Sequence, residues 1–165
     1  MRISTSDFGL QTANNPQPAI RNHYRAVSST RFDCPETFCG VAVSTARRGY
    51  WSYAQITATD ATAILDCVLD KAPSYPGGDE IVTDLRSVEP DDAFGIPQAL
   101  PTGTAVAVKN GWTAHSATGK WNVNCMAAWD HYTLAVLLRY PIARKLDYGA
   151  TVCRDVTTTL LARLD

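Results

Sequence analysis

Charge is scarce in this chain and evenly balanced between the two signs. Charged residues make up 19% of the 165 residues, and 15 lysines and arginines against 16 aspartates and glutamates leave a net charge of −1. This charged fraction is a little below that of typical globular domains. No segment collects one sign, so the chain offers no basic stripe for nucleic acid and no polybasic patch for a membrane. We expect no nucleic-acid partner.

Long apolar runs are also missing. The longest mainly apolar run, at about residues 133–138, is far too short to span a bilayer. The first residues, Met-Arg-Ile-Ser-Thr-Ser-Asp, contain no apolar signal region. We therefore expect no membrane span. Read literally, the chain stays in the cytoplasm; read as a piece of a longer protein, its start lies upstream.

Metal ligands are few and scattered, with three histidines and five cysteines. Cys34 and Cys39 lie in one tight loop, Cys-Pro-Glu-Thr-Phe-Cys, where a local disulfide is plausible in an oxidising compartment. The alternative, half of a metal site, lacks a second close pair of ligands. We expect no metal and no cofactor. Cys67 and Cys153 on apolar helix faces, and Cys125 in a strand, are interpreted as buried free thiols.

A hydrophobic content of 45% and this length predict one globular domain spanning residues 1–165. The first 15 residues are polar and lack a clear period, and residues 28–56 are expected to form a long surface loop. Thr57 is a good N-cap and Asp60 completes a capping-box-like pair. Apolar periodicity predicts four helices, at residues 18–27, 57–70, 79–88 and 147–164.

Alternation of apolar and polar residues predicts three strands, at about residues 104–111, 121–129 and 131–140. A turn containing Gly119 joins the first two strands, and Asp130 with His131 reverses the chain between the last two. The strands form an antiparallel meander. The predicted fold is α+β: an antiparallel sheet covered by a C-terminal helix, with additional helices on the N-terminal side.

Lys109-Asn110-Gly111-Trp112, called the lysine strand below, ends the first predicted strand. Asn-Gly between alternating residues also suits a type I′ hairpin turn with an exposed lysine. However, the residues that follow do not alternate as a returning strand, and a better returning strand begins at Trp121. We predict that Lys-Asn-Gly lies within a strand, where a glycine lets a ligand approach the backbone closely.

The lysine strand resembles one signature of class A β-lactamases and penicillin-binding proteins. These serine hydrolases carry Ser-x-x-Lys, Ser-Asp-Asn and Lys-Thr/Ser-Gly. Lys109-Asn110-Gly111 matches the third signature, with Asn in the middle position. The later segment Trp121-Asn122-Val123-Asn124 is similar to one found in actinobacterial members. The resemblance covers roughly residues 4–165 and is best over 57–165.

The resemblance implies a role for each residue of the lysine strand. Lys109 would hold the substrate carboxylate and order the proton network, and Gly111 would leave room for the substrate. The backbone N–H of Trp112 would be one of two oxyanion donors. Asn110 replaces a hydroxyl residue, and its amide can still donate a hydrogen bond to a carboxylate.

Ser6-Asp7-Phe8 resembles the second signature with its last residue replaced. Ser6 precedes Lys109 by 103 residues, a separation similar to that in the family. The helix that begins at Thr57 falls midway between them, as a Thr-initiated helix does in the family. Ser6 would relay protons, whereas Phe8 lacks the side-chain amide that would contact the substrate. The alternative is a disordered N-terminus.

The first signature is absent, because no Ser-x-x-Lys occurs in the 165 residues. The nearest imitation, at residues 44–47, ends in Arg47, and arginine does not deprotonate to act as a base. In the family the nucleophile lies well before Ser-Asp-Asn, hence upstream of Met1. The domain is therefore expected to be incomplete at its N-terminal side. Glu36, the one glutamate in the 28–56 loop, does not match the family's deacylating glutamate.

The resemblance implies a β-lactamase-like serine hydrolase domain that acts on a small-molecule β-lactam or a peptidoglycan peptide. We expect this chain to be inactive by itself, because the nucleophile motif is missing. The family's usual location is extracellular, although this chain carries no signal peptide. Two alternatives stay open: a non-catalytic cell-wall peptide-binding module that keeps the lysine as a carboxylate clamp, and a non-functional gene fragment.

The three histidines invite a catalytic interpretation and the four tryptophans a glycan-binding one, namely His23, His115 and His131, and Trp51, Trp112, Trp121 and Trp129. His115 follows the lysine strand, but the family does not use histidine as its base, so a loop histidine is the better interpretation. The tryptophans could line a glycan groove together. For Trp121 and Trp129, packing of the sheet against helices is the simpler explanation.

Overall fold

The computed structural model describes residues 8–12, 37–42, 44–45 and 54–164. Its architecture is α+β, as the sequence predicted. The helices are α1 Ala58–Lys71, α2 Gly78–Arg86 and α3 Lys145–Leu161. The strands are β1 Phe8–Thr12, β2 Thr37–Phe38, β3 Val41–Ala42, β4 Ser44–Thr45, β5 Ala54–Gln55, β6 Val106–Val108, β7 Gly111–His115, β8 Lys120–Trp129 and β9 Tyr132–Pro141.

The main sheet is antiparallel throughout and runs in the order β1, β9, β8, with β6 and β7 sharing the far side of β8. The predicted reversal between β8 and β9 is confirmed, and Asp130 in that turn has a positive φ of 47°. The short strands form two separate ladders, β2 with β3 and β4 with β5. The predicted long loop at residues 28–56 therefore contains some pairing in its described parts.

The lysine strand continues straight from β6 into β7 without reversing. Val108 lies opposite Ala127 and Gly111 lies opposite Asn124, so both strands keep one register along β8. The predicted strand at 104–111 is thus two collinear strands, with Lys109 and Asn110 between them and Gly111 at the start of β7. The hairpin alternative is wrong, because the chain does not reverse at Asn-Gly. The chain reverses only after His115, through a short 3-10 turn and Gly119.

Helix α3 covers one face of the sheet. Side chains alternate between the faces of a strand, so every second residue of β8 and β9 points toward α3. Gly149 of α3 packs tightly there, because a Cβ at that position would lie 2.5 Å from the Tyr140 hydroxyl. The buried cluster between the layers comprises Phe94, Ile96, Val123, Cys125, Ala127, Trp129, Leu134, Val136, Leu138, Tyr140 and Cys153.

Helix α1 packs on the opposite face through small side chains. Ala58 and Ala61 lie against Ala135 of β9, and all three are buried. The predicted capping box is present: the Asp60 N–H donates to the Thr57 hydroxyl at 3.1 Å, and the Thr57 N–H donates to the Asp60 carboxylate at 2.9 Å. A local cap and a regular apolar stripe thus define this helix, and its predicted bounds differ by one residue at each end.

Other predicted elements need adjustment. Helix α2 is shorter than the predicted 79–88, and α3 runs two to three residues earlier at each end than the predicted 147–164. The polar N-terminal residues contain β1, because main-chain pairing with β9 needs no apolar period. The helix predicted at residues 18–27 lies outside the described residues.

Two disulfides overturn the predicted free thiols. Cys125 in β8 bonds Cys153 in α3, and Cys67 in α1 bonds Cys39 in the turn between β2 and β3. Cys153 lies in the buried α3-side cluster, as its apolar helix face predicted, but both helix cysteines bond a partner cysteine on a neighbouring element. Cys39 bonds Cys67, so the local disulfide with Cys34 is wrong in this structure; Cys34 itself lies outside the described residues.

In the described part of the chain, none of the helices combines the length and apolar character needed to cross a membrane.

Candidate functional site

The lysine strand lies at an edge of the sheet, with β8 as its one neighbour among the described strands. The Lys109 N–H donates to the Met126 carbonyl of β8 at 2.9 Å. In an antiparallel pair, inward and outward main-chain groups alternate along the strand. The main-chain groups of Asn110 and Trp112 therefore point away from β8. Among the described strands, none lies beside the outward Trp112 N–H, because β7 pairs with β8 alone.

The Lys109 ammonium lies at the same edge. Its Nζ donates to the outward carbonyl of Asn110 at 2.7 Å, and its side chain is exposed. Among the described residues, no aspartate or glutamate forms an ion pair with it. The Lys109 ammonium, which has no carboxylate partner among the described residues, and the Trp112 N–H therefore both lie on the outward side of the strand. Such a pair of donors suits an anionic or strongly polarised oxygen ligand.

Gly111 leaves clear space beside these donors. A Cβ at this position would meet no atom within 4 Å, and the backbone there has no positive φ that would favour glycine. Neither packing nor backbone conformation therefore requires a glycine. The exposed Asn124 lies directly opposite on β8. The open face above Gly111 is the space that the predicted close approach of a ligand needs.

Asn110 has a contact that the sequence did not reveal. Its side-chain Nδ2 donates to the carbonyls of Asp92 and Phe94, at 2.8 and 3.0 Å. Both amide protons are thereby used on the loop before β6. Its Oδ1 is buried without a partner in the described part of the chain. The carboxylate-binding role of Asn110 stays a prediction, and its observed role is to tie this loop to the lysine strand.

The Trp112 indole is one wall of the site. It packs edge-on against the buried Phe94 ring, with centroids 5.3 Å apart, and 41% of it remains exposed. Phe94 belongs to the loop that Asn110 holds. The same loop is therefore fixed by two neighbouring residues of the lysine strand, one through hydrogen bonds and one through ring contact.

A cleft of about 490 Å³ adjoins the lysine strand. Helix α2 forms its other wall through Ile81, Asp84 and Leu85, and Val88 and Asp92 line the cleft from the segment that follows the helix. Ile81 on this wall is 52% exposed. The cleft combines aliphatic, aromatic and charged side chains, namely Ile81, Asp84, Leu85, Val88, Asp92, Val108, Lys109, Asn110 and Trp112.

Ser6 lies outside the described residues, so the structure does not place it. Phe8, two residues later, starts β1 opposite Val136 of β9. Two strands, β9 and β8, separate β1 from the lysine strand. The described residues thus bring Lys109, Gly111 and Trp112 together and place Phe8 at the other edge of the sheet.

The remaining predictions for tryptophans and histidines have different outcomes. Trp129 is buried and Trp121 packs partly against the α3-side cluster, so their predicted packing role is confirmed. His115 ends β7 opposite Lys120, and His131 lies against the Tyr132 ring at 4.0 Å between centroids. His23 and Trp51 lie outside the described residues.

Asp66 is a half-buried carboxyl that sequence reasoning missed. It lies on α1, and the Thr133 hydroxyl of β9 donates to it. Burial raises the pKa of Asp66 above its ordinary value, and the hydrogen bond from Thr133 opposes that effect in part. This contact joins α1 to β9. In the described part of the chain, no three metal-ligating side chains are grouped together.

No protein-family model matches this chain, and no curated protein sequence matches it.

Proposed function

We propose that the lysine strand binds the carboxylate of a β-lactam or a peptidoglycan peptide, as the corresponding strand does in β-lactamase-like serine hydrolases. One observation carries the proposal. The Lys109 ammonium and the outward Trp112 N–H lie at one open sheet edge, beside clear space at Gly111. The sequence resemblance in the same four residues supports it.

Each donor has a definite task in acyl transfer. The ammonium of Lys109 attracts the substrate carboxylate, a charge-assisted contact stronger than a neutral hydrogen bond. The Trp112 N–H donates to the carbonyl oxygen as negative charge develops on it, a role that can contribute about 3–4 kcal/mol to the transition state. Because the indole is fixed against Phe94, the strand is held rigid for both tasks.

The chain by itself is proposed not to hydrolyse these substrates. The 165 residues contain no Ser-x-x-Lys, so the serine that would be acylated is not supplied in its usual motif. Purified chain is expected to leave nitrocefin unhydrolysed above the buffer rate. Turnover that disappears in Lys109→Ala would contradict this.

A non-catalytic binding module for cell-wall peptides is the second candidate, because Lys109 lies exposed at the open edge while the nucleophile motif is missing. Calorimetric titration with a capped peptide ending in D-Ala-D-Ala, and with its C-terminal amide, tests the clamp in either case. Only the acid is expected to bind, and Lys109→Ala should weaken it about tenfold, roughly 1.4 kcal/mol. Lys120→Ala, which removes another exposed lysine on β8, is the matched control. Equal binding of acid and amide would contradict the clamp.

The third candidate, a non-functional fragment, makes a different prediction. A chain that lacks part of its core would expose apolar surface, aggregate or bind hydrophobic dyes. The two disulfides and the continuous α3-side core favour a chain that folds by itself. The disulfides also support the proposed extracellular location, because such bonds persist in oxidising compartments.

A further inference from the structure

Two exposed turns lie side by side at one end of the sheet. Residues 116–120 contain the turn from β7 to β8, and residues 141–145 contain the turn from β9 to α3. The Ile142 N–H donates to the Gly119 carbonyl at 2.9 Å, so the two turns are in direct contact. Every residue of both segments is exposed. The two segments, called the sheet tip below, therefore present one shared surface to solvent.

Four cationic side chains are collected at the sheet tip. Lys120, Arg144 and Lys145 belong to it, and Arg139 lies just before it on β9. All four residues are exposed, and none of them forms an ion pair within the described ranges. Lys120 comes from a different strand than the other three residues. The complete set of charges therefore exists only in the folded chain.

Carboxylates are scarce in the part of the chain that builds the tip. Residues 110–150 contain two of them, Asp130 and Asp147. Asp130 lies in the turn at the opposite end of β8 and β9, roughly 30 Å away along two long strands. Asp147 lies in the first turn of α3 and offsets one of the four cations. The tip therefore keeps an excess of positive charge.

An apolar segment is exposed between these cations. Pro141, Ile142 and Ala143 are all exposed, with Arg139 before them and Arg144 after them. Ile142 is 39% exposed and is one of four large apolar side chains exposed in the described part of the chain. Cations that surround an exposed aliphatic side chain are typical of surfaces that bind peripherally to membranes.

We propose that the sheet tip binds the surface of an anionic lipid bilayer. Its cations contact the lipid phosphates, and each basic residue near such a surface adds to binding. Ile142 enters the boundary between headgroups and acyl chains, where interfacial proteins bury apolar side chains. A soluble polyanion uses the cations and leaves Ile142 in water, so a lipid surface complements more of the tip. The tip contains no residue of the lysine strand, and the proposed function can therefore fail without it.

Cosedimentation of the full chain with lipid vesicles tests the proposal. Vesicles of phosphatidylcholine alone are compared with equimolar phosphatidylcholine and phosphatidylglycerol. Binding is expected only to the anionic vesicles and should weaken as ionic strength rises. Lys120→Gln and Lys145→Gln should each lower the partition coefficient about fivefold, the ordinary contribution of one basic residue at such a surface. Arg86→Gln, which removes an exposed cation from α2, is the matched control and should leave it unchanged.

Ile142→Ala distinguishes a lipid surface from a soluble polyanion, because it removes apolar surface and no charge. It should weaken vesicle binding about fivefold. Thermal melting checks that these variants, all at exposed positions, remain folded. The proposal is overturned if anionic vesicles do not bind, if both vesicle types bind equally, or if the lysine variants bind like the parent. Binding of inorganic polyphosphate that needs both lysines, together with vesicle binding that is insensitive to Ile142→Ala, would assign the tip to a soluble polyanion instead.

Discussion

Substitutions at Gly111 are expected to affect ligand binding without destabilising the fold. Because a Cβ there meets nothing within 4 Å, Gly111→Ala should fold normally and gain up to about 0.5 kcal/mol of unfolding free energy from reduced backbone entropy. Gly111→Val should weaken binding of the D-Ala-D-Ala peptide about tenfold, because its methyl groups occupy the ligand's space. Thermal melts and calorimetry give the two quantities. A valine variant that folds and binds like the parent would contradict the ligand's position.

Asn110 is expected to matter for stability first. Asn110→Ala removes two hydrogen bonds to the loop before β6 and leaves those carbonyls to water, at a cost of about 1–3 kcal/mol of unfolding free energy. Urea unfolding would measure this loss. Asn124→Ala, an exposed asparagine on β8, is the control and should change stability little. Equal stability of the two variants would show that the loop contact is unimportant.

The Asp66 carboxyl makes the stability of the fold depend on pH. Its pKa is raised in the folded state by burial, so the folded state favours the protonated form relative to the unfolded state. The stabilisation is fully present below the ordinary value of 3.8 and is lost as pH rises through the raised pKa of the folded state. The stability of the parent chain relative to Asp66→Asn should therefore fall over that pH interval. A flat difference in urea titrations would contradict the assignment.

At the scale of elements, the two disulfides form a natural comparison. Each joins cysteines separated by 28 residues, so chain entropy predicts a similar loss, about 3–4 kcal/mol, when either is removed. The Cys125–Cys153 bond lies in the α3-side core, so replacing both cysteines by alanine also leaves a cavity. Its removal should lower the urea midpoint more than removal of Cys39–Cys67. A larger fall in the urea midpoint on removal of Cys39–Cys67 would show that this disulfide contributes more to stability than the one in the core.

Elements with local signals were predictable from the sequence, and their partners were not. Helix α1 follows from the Thr57 cap and its apolar stripe, and the β8–β9 hairpin follows from alternation on either side of Asp130. The cysteine pairing depends on which faces meet after folding, which no local pattern encodes. The role of Asn110 likewise depends on Phe94, sixteen residues earlier in the chain.

At the scale of the whole molecule, a sheet covered on both faces predicts cooperative unfolding. Clusters on the α3 side and the α1 side share β8 and β9, so loss of either helix exposes apolar side chains of the same two strands. We expect one thermal transition that coincides for far-UV circular dichroism and tryptophan fluorescence. Separate transitions, or strong dye binding before heating, would favour the non-functional fragment.

The candidate site was predictable only in part, because its sequence signal is confined to four consecutive residues. Lys109, Gly111 and Trp112 were found from the resemblance, and the structure places their donors and open space at one edge. The cleft was not predictable, because α2 and the lysine strand meet only in the folded chain. The sequence gives no sign that Ile81 lines a site, because its place in the cleft with Trp112 depends on how α2 packs beside the lysine strand.

The proposed binding of a carboxylate-bearing peptide at the open edge of the lysine strand can be tested by an NMR titration of the isotopically labelled chain with a capped D-Ala-D-Ala peptide. The largest amide shifts are expected at Trp112 and its neighbours on the edge, and they should vanish in Lys109→Ala. Shifts centred on another face, or saturable binding that leaves the Trp112 amide unmoved, would contradict it.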